Sequence, residues 1–105
     1  MSTISTHVLD TALGKPAAGI AVTLASGGSV VRSGTTDNDG RWLDAGQLPV
    51  GNYQLTFAVG EYFARAGRES LYGEVVIRFR VAVDTEHYHV PLLLSPFGYS
   101  TYRGS

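Results

Sequence analysis

Three histidines, His7, His87 and His89, and one arginine behind a tight turn, Arg41, are the residues of this 105-residue chain best suited to chemistry near neutral pH. A neutral imidazole near its ordinary pKa of about 6.5 can take a proton from water and return it. His87 and His89 stand two positions apart, which puts both rings on one face of a strand. Such a pair can grip a metal, but a site needs three or four ligands. The chain has no cysteine, and no carboxylate cluster is tied to these histidines in the sequence, so neither a metal nor another cofactor is expected. Arg41 directly follows Asp37-Asn38-Asp39-Gly40. A guanidinium there can hold a planar anion or polarise a carbonyl through its fork of donors. Taken alone, a strand histidine such as His7 and a turn arginine such as Arg41 are more often simply solvated. There is no Gly-x-Ser-x-Gly elbow, phosphate-binding glycine loop or dinucleotide fingerprint. Asp37 and Asp39 lack the remaining ligands of a calcium loop.

The elements that must position these residues read as strands. Ser2 to Asp10 alternates, with Ile4, Thr6 and Val8 on one face and Ser5, His7 and Leu9 on the other. Gly19 to Ser26 alternates again, and Gly27-Gly28 turns it into a hairpin with Ser29 to Thr36. The Asp37–Gly40 turn leads to a short piece around Trp42 and Pro49-Val50-Gly51, then a strand through Tyr53, Leu55, Phe57 and Val59. Glu61 to Gly67 is the one expected helix, closed by its glycine. Glu74 to Asp84 is expected as the longest strand, with Val75, Ile77, Phe79, Val81 and Val83 inward. His87 to Leu94 follows as a strand, and Tyr99 to Ser105 as a short last one. Short strands with regular turn signals describe an all-β antiparallel sandwich or barrel.

A net charge of −1 gives no electrostatic footprint for nucleic acid or an anionic membrane. No apolar run reaches membrane-spanning length. The opening Met1-Ser2-Thr3-Ile4 lacks a charged stretch followed by an apolar one, so a soluble, cytoplasmic protein is expected. The length fits one domain, residues 1–105.

The last segment, Tyr99 to Ser105, is rich in rigid polar aromatics and reads as ordered rather than as a fraying tail. Together with the residues before it, HYHVPLLLSPFGYSTYRGS resembles the C-terminal signature of the 5-hydroxyisourate hydrolases, a transthyretin-like family. The opening STHVLDTALGKPAAGIAVTL resembles the N-terminal signature of that family, and TTDNDGRW its central Asp-Gly-Arg block.

The resemblance implies a transthyretin-like (prealbumin-like) antiparallel β-sandwich of two four-stranded sheets with one short helix. It also implies a homotetramer, a dimer of dimers, with active sites at the dimer–dimer interface. His7, Arg41 and His89 match the catalytic positions of the family. Tyr102, Arg103, Gly104 and Ser105 match its terminal tetrapeptide, which with His7 and Arg41 binds substrate. The implied reaction is metal-free hydrolysis of 5-hydroxyisourate to 2-oxo-4-hydroxy-4-carboxy-5-ureidoimidazoline in urate degradation. Either His7 or His89 serves as base, while Arg41 and Arg103 stabilise charge on the attacked carbonyl. A non-enzymatic carrier of a small aromatic ligand, and a structural prealbumin-like module, are the alternatives.

Overall fold

A computed structural model describes residues 2–105, apart from the side chain of Ala45. The elements follow in the order β1 (Ser2–Asp10), β2 (Lys15–Pro16), β3 (Ala21–Ser26), β4 (Ser29–Thr35), β5 (Arg41–Leu48), β6 (Gly51–Phe57), α1 (Val59–Arg65), β7 (Val75–Val81), β8 (His87–His89), β9 (Leu92–Ser95) and β10 (Gly98–Thr101).

Alternation in β1 becomes burial. Ser2, Ile4, Thr6, Val8 and Asp10 are buried, while Thr3, Ser5, His7 and Leu9 sit half-buried on the outer face. Three inward residues are polar, and each finds a partner, as burial requires. Ser2 Oγ donates to the Val83 carbonyl and Thr6 Oγ1 to the Val90 carbonyl, each at 2.6 Å. Asp10 accepts hydrogen bonds from Arg68 at 2.7 Å, Tyr62 at 2.8 Å and the Leu13 backbone at 3.1 Å. Those bonds tie the segment around α1 to the end of the strand that carries His7.

Two sheets enclose the core, which includes Ile4, Val8, Leu24, Phe57, Phe63 and Leu92. One sheet runs β4-β3-β6-β7, antiparallel throughout. In the other, β5 and β2 succeed one another along one edge of β1, with β8 and β9 along the opposite edge and β10 outside β9. Counted as lines of chain, this second layer is also four strands wide. It is not wholly antiparallel, because β8 and β9 run parallel to β1.

Several boundaries differ from expectation for local reasons. The expected short piece near Trp42 is a full eight-residue strand, β5. The strand expected to end at Asp84 stops at Val81, since the Ala82 and Val83 N–H groups donate to the Tyr88 hydroxyl at 3.2 and 3.1 Å. Val83 is therefore exposed, and β1, not β7, is the longest strand. His87 to Leu94 divides into β8 and β9 at Val90-Pro91, where proline has no N–H to give the ladder. The helix begins two residues earlier than expected, at Val59, and Gly67 closes it at φ +66°. The last strand ends at Thr101, followed by a single bridge between Gly104 and His89.

Candidate active site

The site lies on the outer face of β1 and its two neighbours. His7 is the cross-strand partner of Arg41 on β5, and Ser5 is the partner of Leu43 on one side and His89 on the other. Facing strands thus bring an imidazole from β1, a guanidinium from β5 and an imidazole from β8 onto one surface. Period-two alternation keeps all three out of the core.

Arg41 is placed by the turn before it. The Asp37 carboxylate accepts from the backbone N–H groups of Asp39 at 2.9 Å and Arg41 at 3.0 Å. The Gly40 carbonyl then accepts from the Val8 N–H at 2.7 Å, pinning the turn to β1 directly beside His7. Gly40 has φ +73°, a conformation that a side chain disfavours.

His89 is held from three directions. The Val90 N–H donates to the Ser5 carbonyl at 2.9 Å, and the Gly104 N–H donates to the His89 carbonyl at 2.8 Å. On the side-chain level, Ser5 Oγ lies 2.7 Å from His89 Nδ1. Burial pushes the His89 pKa below 6.5, and the positive field of Arg41 with neighbouring His87 and His7 pushes it the same way. A hydrogen bond to the Ser5 backbone offsets part of this. A histidine so placed favours its neutral form, the form that accepts a proton. Among the described residues no three His, Asp or Glu side chains gather as a metal site.

The family model described as HIUase/Transthyretin family matches residues 4–104. The chain belongs to this family. Within the HIUase/Transthyretin family it is 46% identical to the 5-hydroxyisourate hydrolase of Caulobacter vibrioides, a match that covers both chains in full. It is 42% identical to the 5-hydroxyisourate hydrolase of Salmonella typhimurium, over 97% of this chain and 80% of that one. The fold superposes on that of Klebsiella pneumoniae 5-hydroxyisourate hydrolase with a TM-score of 0.92 at 45% identity, covering 100% and 94% of the two chains. Transthyretin from Sparus aurata superposes with a TM-score of 0.89 at 26% identity, covering 96% and 95%.

Of the positions assigned from the sequence, His7, Arg41, His89 and Gly104 meet at this face. Tyr102 and Arg103 do not. They line a cavity of about 470 Å³ with Ile77, Phe79, Tyr88 and Val90. The Arg103 guanidinium lies 4.4 Å above the Tyr88 ring and 3.4 Å from Glu86. Tyr88 is the inward residue of β8, so this arginine sits on the side away from the histidines. Ser105 is exposed at the end of the chain. Sequence reasoning passed over Ser5 and Thr3 as site residues. Both share the His7 face by alternation, but their closeness to β8 depends on a parallel pairing that no local pattern announces.

Proposed function

We propose that the chain hydrolyses 5-hydroxyisourate to 2-oxo-4-hydroxy-4-carboxy-5-ureidoimidazoline, as one metal-free domain over residues 1–105. The observation that carries this reading is the meeting of His7, Arg41 and His89 on one face of a family fold whose named relatives include 5-hydroxyisourate hydrolases. A histidine takes a proton from water as its oxygen attacks a ring carbonyl. The Arg41 guanidinium steadies the negative charge that develops on the carbonyl oxygen. The carbon–nitrogen bond of the six-membered ring then breaks, the ring nitrogen takes the proton, and a carboxylate is left.

The same reading includes a homotetramer, a dimer of dimers, that buries this face between dimers in the cytoplasm. Supporting it, the outer face carries Leu43 at 65% exposure, with Leu9 and Leu93 half-buried nearby. Apolar side chains of that kind around a polar site favour association with another copy. In such an assembly Gly104 lies in the substrate pocket with His7 and Arg41, and Tyr102 and Arg103, which line the other side within one chain, complete with Ser105 a pocket across the interface between copies.

Alanine at His7, Arg41 or His89 should each cut turnover at least about a hundredfold while leaving the folded oligomer intact. Near-normal rates in all three variants would remove this face from the reaction. Tight binding of an aromatic ligand without any hydrolysis would favour the carrier instead.

A further inference from the structure

Four side chains on β1 and β8 form an unbroken polar row beside the site. The parallel register sets Thr3 opposite His87 and Ser5 opposite His89. Thr3 Oγ1 lies 2.6 Å from His87 Nδ1, and Ser5 Oγ lies 2.7 Å from His87 Nε2. The same Ser5 oxygen lies 2.7 Å from His89 Nδ1. His87 therefore has both ring nitrogens engaged, whereas this row engages only Nδ1 of His89.

Hydrogen counting restricts the row. A hydroxyl has one proton to donate, and a neutral imidazole carries one N–H. With the rings neutral, every link made and the Ser5 proton given within the row, the row runs in one of two directions. In the first, His89 Nδ1–H donates to Ser5, Ser5 to His87 Nε2, and His87 Nδ1–H to Thr3. His89 Nε2 then presents a lone pair. In the second every bond is reversed, and His89 Nε2 carries a proton.

We propose that Ser5 and His87 are positioning residues that relay protons to and from His89, letting that histidine act first as base and then as acid. The inference rests on the hydrolase reading and deepens it by giving His89 both proton-transfer roles. As His89 Nε2 takes a proton from the attacking water, its Nδ1 proton passes to Ser5. Ser5 passes its own to His87 Nε2, and the His87 Nδ1 proton moves to Thr3, whose hydroxyl proton leaves to solvent. One proton enters at His89 and one leaves at Thr3. When His89 Nε2–H protonates the departing ring nitrogen, the row runs backward, takes one proton from solvent at Thr3 and returns to its first direction.

The setting suits this traffic. The charged and titratable groups facing His89 are His7 from β1, Arg41 from β5 and His87 on its own strand. Positive Arg41 disfavours a lasting imidazolium, so moving the proton onward is easier than storing it. In the single chain His87 is exposed while His89 is half-buried, so the far end of the row is the end nearer solvent.

The first test is the imidazole ¹⁵N spectrum of wild type, Ser5→Ala and Ser5→Thr, without substrate. Ser5→Ala should change the tautomer balance of both His87 and His89, and Ser5→Thr should keep it. Unchanged spectra in Ser5→Ala would overturn the row even if the chain proves inactive, so failure here is distinct from failure of the hydrolase reading. In turnover, Ser5→Ala should lower kcat about tenfold or more with KM nearly constant. The proton inventory should be curved for wild type and linear for Ser5→Ala, and Ser5→Thr should restore both features. Thr3→Val, which removes only the outer hydroxyl, should also straighten the inventory. Retained curvature with kcat within about twofold of wild type in both Ser5→Ala and Thr3→Val would contradict the relay.

Discussion

Gly104 lies flat against His89. Its N–H donates to the His89 carbonyl at 2.8 Å, and a Cβ built on it would stand 2.5 Å from His89 Cδ2. A glycine at this point of the tail thus has a steric cause: any side chain would push the imidazole or the tail aside. Gly104→Ala should lower kcat at least about tenfold, because a small misplacement of a reacting group is costly. Its melting temperature should hardly change, since the contact lies outside the core. Steady-state kinetics beside a thermal melt separate the two effects, and wild-type kcat in the folded variant would refute the steric argument.

The environment of His89 sets a pH signature. Burial and the positive charge of Arg41 favour its neutral form, so its titration should have a midpoint below 6.5. An unfolded His89 binds more protons than the folded one below 6.5, so this residue makes the fold less stable as pH falls through that window. A side-chain NMR titration reads the midpoint directly. A value above 6.5 would show that desolvation and Arg41 do not govern this ring.

The turn that delivers Arg41 offers a third prediction. Gly40 has φ +73°, and a Cβ there would stand 2.4 Å from the Val8 carbonyl oxygen. Gly40→Ala should cost about 2 kcal/mol through backbone strain and displacement of β1. Activity should fall further than stability accounts for, because Arg41 and His7 are joined through that contact. Urea unfolding with parallel rate measurements tests both statements, and an unchanged midpoint would contradict the strain.

Asp10 sits at the other end of β1, fully buried. Burial alone would raise its pKa, but the bonds from Arg68, Tyr62 and the Leu13 backbone outweigh it and hold the carboxyl below 3.8. Asp10 thus stabilises the fold above about pH 4, and that contribution is lost as pH falls through its folded value. Asp10→Asn should cost about 3 kcal/mol at neutral pH by leaving Arg68 without its carboxylate. Its stability should also fall less steeply below pH 4. Urea unfolding at several pH values measures both, and parallel acid limbs for the two proteins would rule out this ion pair as their cause.

How much of this was legible in the sequence depends on whether inward positions were apolar. In β1 the core side keeps Ile4 and Val8, so alternation revealed both the strand and the outward His7. In β5 the inward side includes Trp42, Asp44 and Gly46. Asp44 pairs with Arg32, Gly46 lies under that same arginine, and Trp42 packs on Gly34, so a polar lining hides the pattern. The parallel pairing of β1 with β8 and the Asp10–Arg68 bond join residues far apart in sequence, and periodicity carries no information about such partners. The histidine pair was visible, but its link to Ser5 was not, because that link exists only once β1 and β8 are side by side.

The central claim is tested most directly by following the decay of freshly generated 5-hydroxyisourate by absorbance, with and without the chain and with and without a chelator. The account predicts decay well above the spontaneous rate, insensitive to chelator. Decay at the spontaneous rate in the presence of the folded chain with a free C-terminus would contradict it.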